Sequence, residues 1–212
     1  MSSDPAAALD AVLDRHGRTF ADEAGFTVSD RPAQLFELLV LTSLLSANLD
    51  PPLGVRAAVT LRRHGLRTAE AVADAGADRL HELLHEAKYL RTKQTGRQLG
   101  ELAEHALDAY DGDLRRLRDE ARGEPGAVEK ALTGFAGVGP LGATIFCREV
   151  QTAWPTLQPY ADDRVLATAA DLGLPRTARG LADLAGTDDL ARLGAALVRC
   201  ARAGDAEELR HG

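Results

Sequence analysis

The segment spanning residues 131–150, ALTGFAGVGPLGATIFCREV, restricts the fold of this chain more than any other stretch. In it, two apolar, helix-like runs flank a short turn that contains Gly137, Gly139 and Pro140. Glycine can adopt a positive φ or let another backbone come close, and proline suits the first turn of a helix. The segment therefore predicts a helix, a tight hairpin and a second helix. Because the first N–H groups of a helix lack intrahelical partners, this hairpin is a candidate anion site, and a nucleic-acid phosphate is one candidate ligand.

The remainder of the sequence favours helices over strands. Few runs of Val, Ile or Thr alternate with period two, which is the pattern typical of strands. Residues 33–47 are apolar on nearly every face, which predicts a helix buried at the centre of a bundle. Apolar residues make up 45% of the 212-residue chain, enough to fill a sizeable core. We therefore predict an all-α fold.

Composition also indicates where such a chain would work. No apolar run reaches the length of a membrane span, and the acidic N-terminus lacks the basic region of a secretory signal. The two cysteines, Cys147 and Cys200, do not form a metal-ligand cluster, which favours a reducing compartment without a structural disulfide. We expect a cytoplasmic protein that acts as a monomer and does not bind a membrane.

The formal net charge of −7 is unusual for a protein that binds DNA. Global charge governs long-range attraction, but a local basic face can still contact a phosphate backbone. Between residues 56 and 97, basic residues outnumber acidic ones. The basic residues there include Arg62, Arg63, Lys88, Arg91, Lys93 and Arg97. They form either such a face or ordinary solvated helix surfaces.

Three segments together resemble the endonuclease III-like, helix-hairpin-helix DNA glycosylases. Residues 134–143, GFAGVGPLGA, are similar to the family's hairpin, L-P-G-V-G-x-x-T-A. Residues 160–165, YADDRV, are similar to its V-D-x-H-V segment, which carries the catalytic aspartate. Residues 44–48, LLSAN, are similar to its L-L-S-A-Q segment. The three segments occur in the family's order, which makes the resemblance far more specific than one short motif.

The resemblance implies an all-α architecture of two helical lobes. Residues 31–155 would form a six-helix lobe that carries the helix-hairpin-helix. Residues 1–30 and 156–212 would form the second lobe, built from both ends of the chain. This division follows from the layout of the family and not from the composition of the segments.

The resemblance also implies base-excision repair by a DNA glycosylase that hydrolyses the N-glycosidic bond of a damaged or mispaired base in double-stranded DNA. Such an enzyme extrudes the nucleotide from the stack, and positive charge develops on the sugar as the bond breaks. Asp162 matches the catalytic aspartate, whose carboxylate would stabilise that charge or orient a water molecule. Its neighbour Asp163 is the alternative, because either residue can also cap the helix that follows.

The implied DNA contacts lie in the hairpin and at the end of the central helix. The backbone amides of Gly137, Val138 and Gly139 would bind a phosphate, and a monovalent cation would bind beside them. Asn48 stands where the family has a glutamine that fills the space left by the extruded nucleotide. An asparagine that ends a helix explains the same position.

Two departures from the family narrow the implied chemistry. Bifunctional members place a lysine two residues after the second hairpin glycine, and it forms a Schiff base with the sugar. This chain has Leu141 there, so we expect a monofunctional enzyme without AP-lyase activity. The four-cysteine loop of the family is also lacking, so we expect no iron–sulfur cluster and no obligatory cofactor.

Two other functions stay open. A non-catalytic relative would keep the grip of the hairpin on DNA and lose the chemistry, and the acidic charge and the changes at Asn48 and Leu141 favour it. A zinc hydrolase is the remaining alternative, because His81-Glu82-Leu-Leu-His85 matches H-E-x-x-H. No third ligand is evident near that motif, and we expect no metal site.

Overall fold

Proline residues mark where several helices of this chain begin. A computed structural model describes residues 4–47, 49–186 and 190–211, and within these ranges its regular elements are helices, without a strand. The predicted all-α fold is thus confirmed. Proline at the first helical position costs no hydrogen bond, since the N–H there would lack an intrahelical acceptor anyway. The helices that begin in this way start at Pro5, Pro32, Pro51, Pro125 and Pro140.

The helices follow one another through short connections. In chain order they are α1 (Pro5–His16), α2 (Phe20–Glu23), α3 (Pro32–Ser46), α4 (Pro51–Arg63), α5 (Ala69–Glu86), α6 (Thr92–Tyr110), α7 (Leu114–Glu120), α8 (Pro125–Leu132), α9 (Pro140–Val150), α10 (Asp163–Asp171), α11 (Ala178–Ala185), α12 (Leu190–Ala203) and α13 (Ala206–His211), with a 3₁₀ helix at Pro155–Leu157 between α9 and α10.

The described residues group into two units. One consists of those in Met1–Phe20 and Arg148–Gly212, and the other of those in Ala21–Cys147. The division falls within α9, and both ends of the chain belong to the first unit. The boundaries predicted from the sequence, after residue 30 and after residue 155, lie further along the chain.

Helix α3 is the centre of the Ala21–Cys147 unit. Every side chain from Leu35 to Leu45 is buried, which confirms the prediction made for residues 33–47. One of these side chains is the carboxylate of Glu37, which forms an ion pair with Arg62 of α4. A buried carboxylate needs such a partner, because leaving it unpaired would cost several kcal/mol, about 3–5 in measured cases.

Two neighbouring helices come unusually close to α3, and each does so at a glycine. An ideal Cβ on Gly54 of α4 would lie 3.1 Å from the carbonyl oxygen of Leu44. An ideal Cβ on Gly142 of α9 would lie 2.1 Å from Oγ of Ser46, well inside van der Waals contact. The sequence therefore needs glycine at these positions for packing rather than for backbone conformation.

The other unit has a core of its own, built from the two ends of the chain. Side chains of α1 pack with side chains of α10 and α12 around it. The buried residues there include Leu9, Val12, Val165, Ala169, Leu193, Ala196 and Leu197. None of the described helices is long and apolar enough to cross a membrane.

The contact between α9 and α3 generates the first prediction. Gly142→Ala should lower the free energy of unfolding by about 1–3 kcal/mol, because the added methyl group overpacks the contact with Ser46. Removing that hydroxyl in the double variant Gly142→Ala/Ser46→Ala should restore much of the loss. Urea denaturation of the wild type and of these two variants measures both effects.

The matched control is Gly100→Ala on α6, where an ideal Cβ meets no atom within 4 Å. That substitution should leave the unfolding free energy unchanged or raise it, since alanine favours helix more than glycine. Equal losses for alanine at 142 and at 100 would contradict the packing explanation.

Candidate functional site

The hairpin between α8 and α9 has the geometry expected from its glycines. Gly137 has φ +76°, a region that side chains rarely allow. The N–H of Val138 donates to the carbonyl of Phe135 at 3.1 Å and closes the turn. Pro140 then begins α9. The helix, tight turn and helix predicted from the sequence are therefore confirmed.

The two hairpin glycines have different structural roles. Gly137 needs its positive φ, and an ideal Cβ there would lie 2.8 Å from Oγ of Ser43. Gly139 has an ordinary φ, and an ideal Cβ there would meet no atom within 4 Å. The internal structure of the unit thus explains Gly137, whereas Gly139 leaves open surface beside the start of α9.

An aromatic cluster fixes the hairpin to α6. The ring of Phe135, which is almost fully buried, lies 4.5 Å from the ring of His105 and 6.0 Å from that of Tyr110, measured between ring centroids. Aromatic pairs at such distances contribute beyond their buried area, by about 0.5–1.5 kcal/mol each. The hairpin is therefore held rigidly on α6 rather than left as a free loop.

The turn that precedes α6, at residues 88–91, has an unusual backbone conformation. Lys88 and Arg91 have φ values of 55° and 54°, which are uncommon for residues other than glycine. Between them, the hydroxyl of Tyr89 donates to the carbonyl of Leu44 at 2.8 Å. That carbonyl lies in the last turn of α3, where carbonyls lack an intrahelical donor. Burial raises the pKa of Tyr89 to about 12, so the phenol stays a donor at neutral pH.

These elements border one groove within the Ala21–Cys147 unit. Its volume is about 470 Å³, and it lies among the end of α3, the turn before α6, α6 itself and the hairpin. Its lining residues are Ser43, Ser46, Ala47, Tyr89, Arg91, Gln94, Thr95, Gln98, Thr133, Phe135, Gly137, Val138 and Gly139. Hydroxyl, amide and guanidinium groups from several elements thus converge there, which is the lining expected of a site that binds a polar ligand.

The borders of this groove are basic and locally apolar. The segment 88–97 contains Lys88, Arg91, Lys93 and Arg97, all exposed, and no acidic residue. Two large apolar side chains are also exposed in the described part of the chain, Leu90 by 52% and Leu141 by 50%. Leu90 lies between two residues that line the groove, and Leu141 follows the hairpin directly.

Asp162 lies in the other unit, at the start of α10. Its Oδ1 accepts the backbone N–H groups of Arg164 and Val165, both at 3.1 Å, so it caps the helix. Its Oδ2 accepts a hydrogen bond from Nη1 of Arg148 at 2.6 Å. The side chain of Asp162 is only 12% exposed. Asp163, the alternative candidate, is the first residue of α10 and is exposed.

The structure brings some of the predicted site residues together. Gly137, Val138 and Gly139 line the groove side by side, although the Val138 side chain is buried and its N–H is used within the turn. Asn48 lies outside the described residues. Asp162 belongs to the other unit, and its assignment as the catalytic carboxylate remains a prediction.

Sequence reasoning missed three residues of this site. The sequence predicted Arg91 only as part of a basic face, and it assigned no role to Tyr89 or Leu90. Residues 88–91 contain no glycine or proline, so their sequence does not indicate a tight turn. The left-handed backbone at residues 88 and 91 cannot be predicted from composition. The available signal is the run of basic residues interrupted by one tyrosine and one leucine.

The histidines and cysteines of the described residues do not assemble into a metal site. His81 and His85 lie on α5 with ring centroids 6.4 Å apart. Within the ranges that the structure describes, no group of three or more His, Cys, Asp or Glu side chains converges. Cys147 and Cys200 are free and buried, and burial raises the pKa of both thiols, that of Cys200 to about 12.

The chain shares its all-α fold with solved structures of endonuclease III. A trapped endonuclease III–DNA covalent intermediate, an estranged-adenine complex, matches with a TM-score of 0.52 and 18% identity over 92% of this chain and 84% of that one. A non-covalent endonuclease III–DNA complex matches with a TM-score of 0.52 and 19% identity over 91% and 81%. No protein-family model and no curated protein sequence matches the chain.

The hydrogen bond between Tyr89 and α3 generates a prediction about stability. Tyr89→Phe should lower the free energy of unfolding by about 1–3 kcal/mol, because the Leu44 carbonyl loses a buried donor. Denaturant titration at neutral pH measures this loss.

The burial of Tyr89 predicts a dependence of stability on alkaline pH. The folded pKa of Tyr89 is raised from 10.0 to about 12, so its contribution to stability is complete below pH 10 and is lost as pH rises towards 12. The unfolding free energy of the wild type should therefore fall more steeply across this range than that of Tyr89→Phe. Parallel curves for the two proteins would contradict this role of the phenol.

Proposed function

We propose that this chain is a monofunctional DNA glycosylase of base-excision repair, which hydrolyses the N-glycosidic bond of a damaged or mispaired base in double-stranded DNA. The observation that carries the proposal is the groove between the end of α3, the turn before α6 and the hairpin. Its support is the fold shared with endonuclease III structures that contain DNA. A cytoplasmic location and a monomeric state belong to the same proposal.

The hairpin would hold the DNA backbone. Gly139 leaves room for a phosphate to approach the main chain, and the N–H groups in the first turn of α9 have no intrahelical partners. The partial positive charge at a helix N-terminus favours the anion further. A monovalent cation would bind at the same loop, and its support is that the carbonyls of Leu132 and Phe135 each accept one loop N–H, since a carbonyl oxygen has two lone pairs.

The turn before α6 would insert a side chain into the duplex at the position from which a nucleotide is extruded. Unstacking a base leaves a gap, and DNA-binding proteins commonly insert an apolar side chain between base steps. Leu90 is exposed by 52%. Its turn is held by two hydrogen bonds, from the hydroxyl of Tyr89 to the Leu44 carbonyl and from Arg56 to the Lys88 carbonyl. The exposed cations Lys88 and Arg91 on either side would contact phosphates.

Asp162 would supply the negative charge for glycosidic bond cleavage. The bond breaks with positive charge developing on the sugar, and a fixed carboxylate stabilises that charge without reorganising. The contacts with Arg164, Val165 and Arg148 fix its orientation. Leu141 has no amine with which to form a Schiff base, and this supports hydrolysis without strand cleavage.

A second candidate function is DNA binding without catalysis. The observation that favours it is the same set of contacts, because both oxygens of Asp162 are already engaged and the side chain is 12% exposed. The net charge of −7 would suit weak, transient contact with DNA better than tight binding. Activity of the wild type on a modified duplex separates the two candidates.

Excision assays on a matched pair of variants test the catalytic proposal. Duplexes carrying uracil, alkylated purines, oxidised bases or mismatches are incubated with protein, and alkali then reveals abasic sites. Asp162→Asn should slow excision of the preferred base by about 10²–10³-fold, because it removes a preorganised charge. Its affinity for the duplex should stay close to that of the wild type.

Asp163→Asn is the matched control, since it makes the same change on the exposed neighbouring carboxylate. It should keep the wild-type rate, and strands should break only after alkali in every case. A slow Asp163→Asn with a fast Asp162→Asn would move the assignment to Asp163. Failure of the wild type to excise any base would leave the DNA-binding alternative.

Binding assays on a second matched pair test the hairpin. Gly139→Leu should weaken binding to all duplexes by a similar factor, because phosphate contacts carry no sequence information. Gly100→Leu adds the same side chain at another open position, on α6, and should bind as the wild type does. Fluorescence anisotropy with modified and unmodified duplexes measures the affinities. A loss confined to one lesion would contradict a phosphate contact.

A further inference from the structure

Arg148 is a charged side chain buried in the unit that contains Asp162. The residue is 2% exposed, and its Nη1 lies 2.6 Å from Oδ2 of Asp162. Its Nε is buried without a hydrogen-bond partner among the described residues. Burying a guanidinium is costly unless it is paired, so the ion pair with Asp162 has to compensate for much of that cost.

The side chain of Arg148 packs directly against the backbone of α12 at Gly194. An ideal Cβ at Gly194 would lie 2.6 Å from Cδ of Arg148 and 2.7 Å from its Cγ. Any larger residue at that position would displace the aliphatic part of the arginine. The path of Arg148 towards Asp162 is therefore specified from a second helix.

Gln151 fixes the backbone at both ends of this ion pair. Its Nε2 donates to the carbonyl of Arg148 at 3.0 Å and to that of Tyr160 at 3.2 Å. Its Oε1 accepts the N–H of Tyr160 at 3.1 Å. One buried amide thus ties the end of α9 to the segment that leads into Asp162, and both members of the pair are held in register.

We propose that Arg148 is a positioning residue for the carboxylate of Asp162, an inference that rests on the glycosylase function proposed above. The helix N-terminus engages Oδ1 through two N–H groups, and Arg148 engages Oδ2. An ionised carboxylate has about four acceptor positions, so roughly one remains for the substrate or a water molecule. Arg148 therefore determines the single direction in which Asp162 presents its charge to the sugar.

The test separates the rate of excision from the affinity for DNA. Arg148→Met should slow single-turnover excision at saturating protein by about 10–10²-fold, since a misplaced catalytic group costs rate rather than binding. The dissociation constant for the same duplex should change by less than about twofold, because no phosphate contact is removed. Arg148→Lys, which keeps a positive charge at this position, should recover most of the rate.

A double variant and a control distinguish positioning from a purely structural role. In Asp162→Asn protein, adding Arg148→Met should not slow excision further, because the two residues act as one unit. Arg199→Met removes another arginine of the same unit, one that stacks on Phe20 at 4.2 Å, and it should excise at the wild-type rate. Equal slowing by Arg148→Met and Arg199→Met would overturn the proposal.

If Arg148→Met does not fold, Gly194→Ala carries the test. Gly194→Ala displaces the arginine without changing any charge, and it should slow excision while leaving affinity for the duplex intact. A wild-type rate of excision in Gly194→Ala would overturn the positioning role while the glycosylase function stands. A wild type that excises no base from any duplex would overturn the proposed function itself, and this inference with it.

Discussion

The burial of α3 on all sides is the constraint on which the rest of the Ala21–Cys147 unit depends. A helix without a solvent-facing side cannot satisfy its terminal carbonyls with water, so protein groups have to do so. Tyr89 provides one such donor at Leu44. Neighbouring helices can surround α3 closely only where they present no side chain, as at Gly54 and Gly142. Packing density around one helix thus dictates glycine positions far apart in the chain.

The candidate groove is a consequence of the same packing. Ser43 and Ser46 lie on the part of α3 against which Gly137 and Gly142 pack, and both serines also line the groove. Tyr89 similarly joins α3 to the turn that carries the exposed Leu90. Structural contacts on one side and an open, polar surface on the other therefore share the same residues. A rigid support of this kind would suit the extrusion of a nucleotide that the proposed function needs.

The sequence predicted those features that depend on local pattern. The apolar run at 33–47 predicted the central helix, and the order Gly-Val-Gly-Pro predicted the hairpin. The capping residue type of Asp162 predicted that a helix starts there. It could not predict the left-handed turn at Lys88 and Arg91, since neither residue type favours that conformation. Nor could it pair Arg148 with Asp162, because periodicity reports that a position is buried and not which group it meets across elements.

Ion pairs reduce the number of basic residues that are available to contact DNA. Arg62 and Arg148 are basic residues by sequence, yet each is paired with a carboxylate, Glu37 and Asp162 respectively, which offsets its positive charge. The segment 88–97 differs, because its four cations are exposed and it has no acidic residue. At physiological salt, charges further apart than about 8 Å are largely screened. Contact with a DNA backbone would therefore depend on this local segment beside the groove and much less on the net charge of −7.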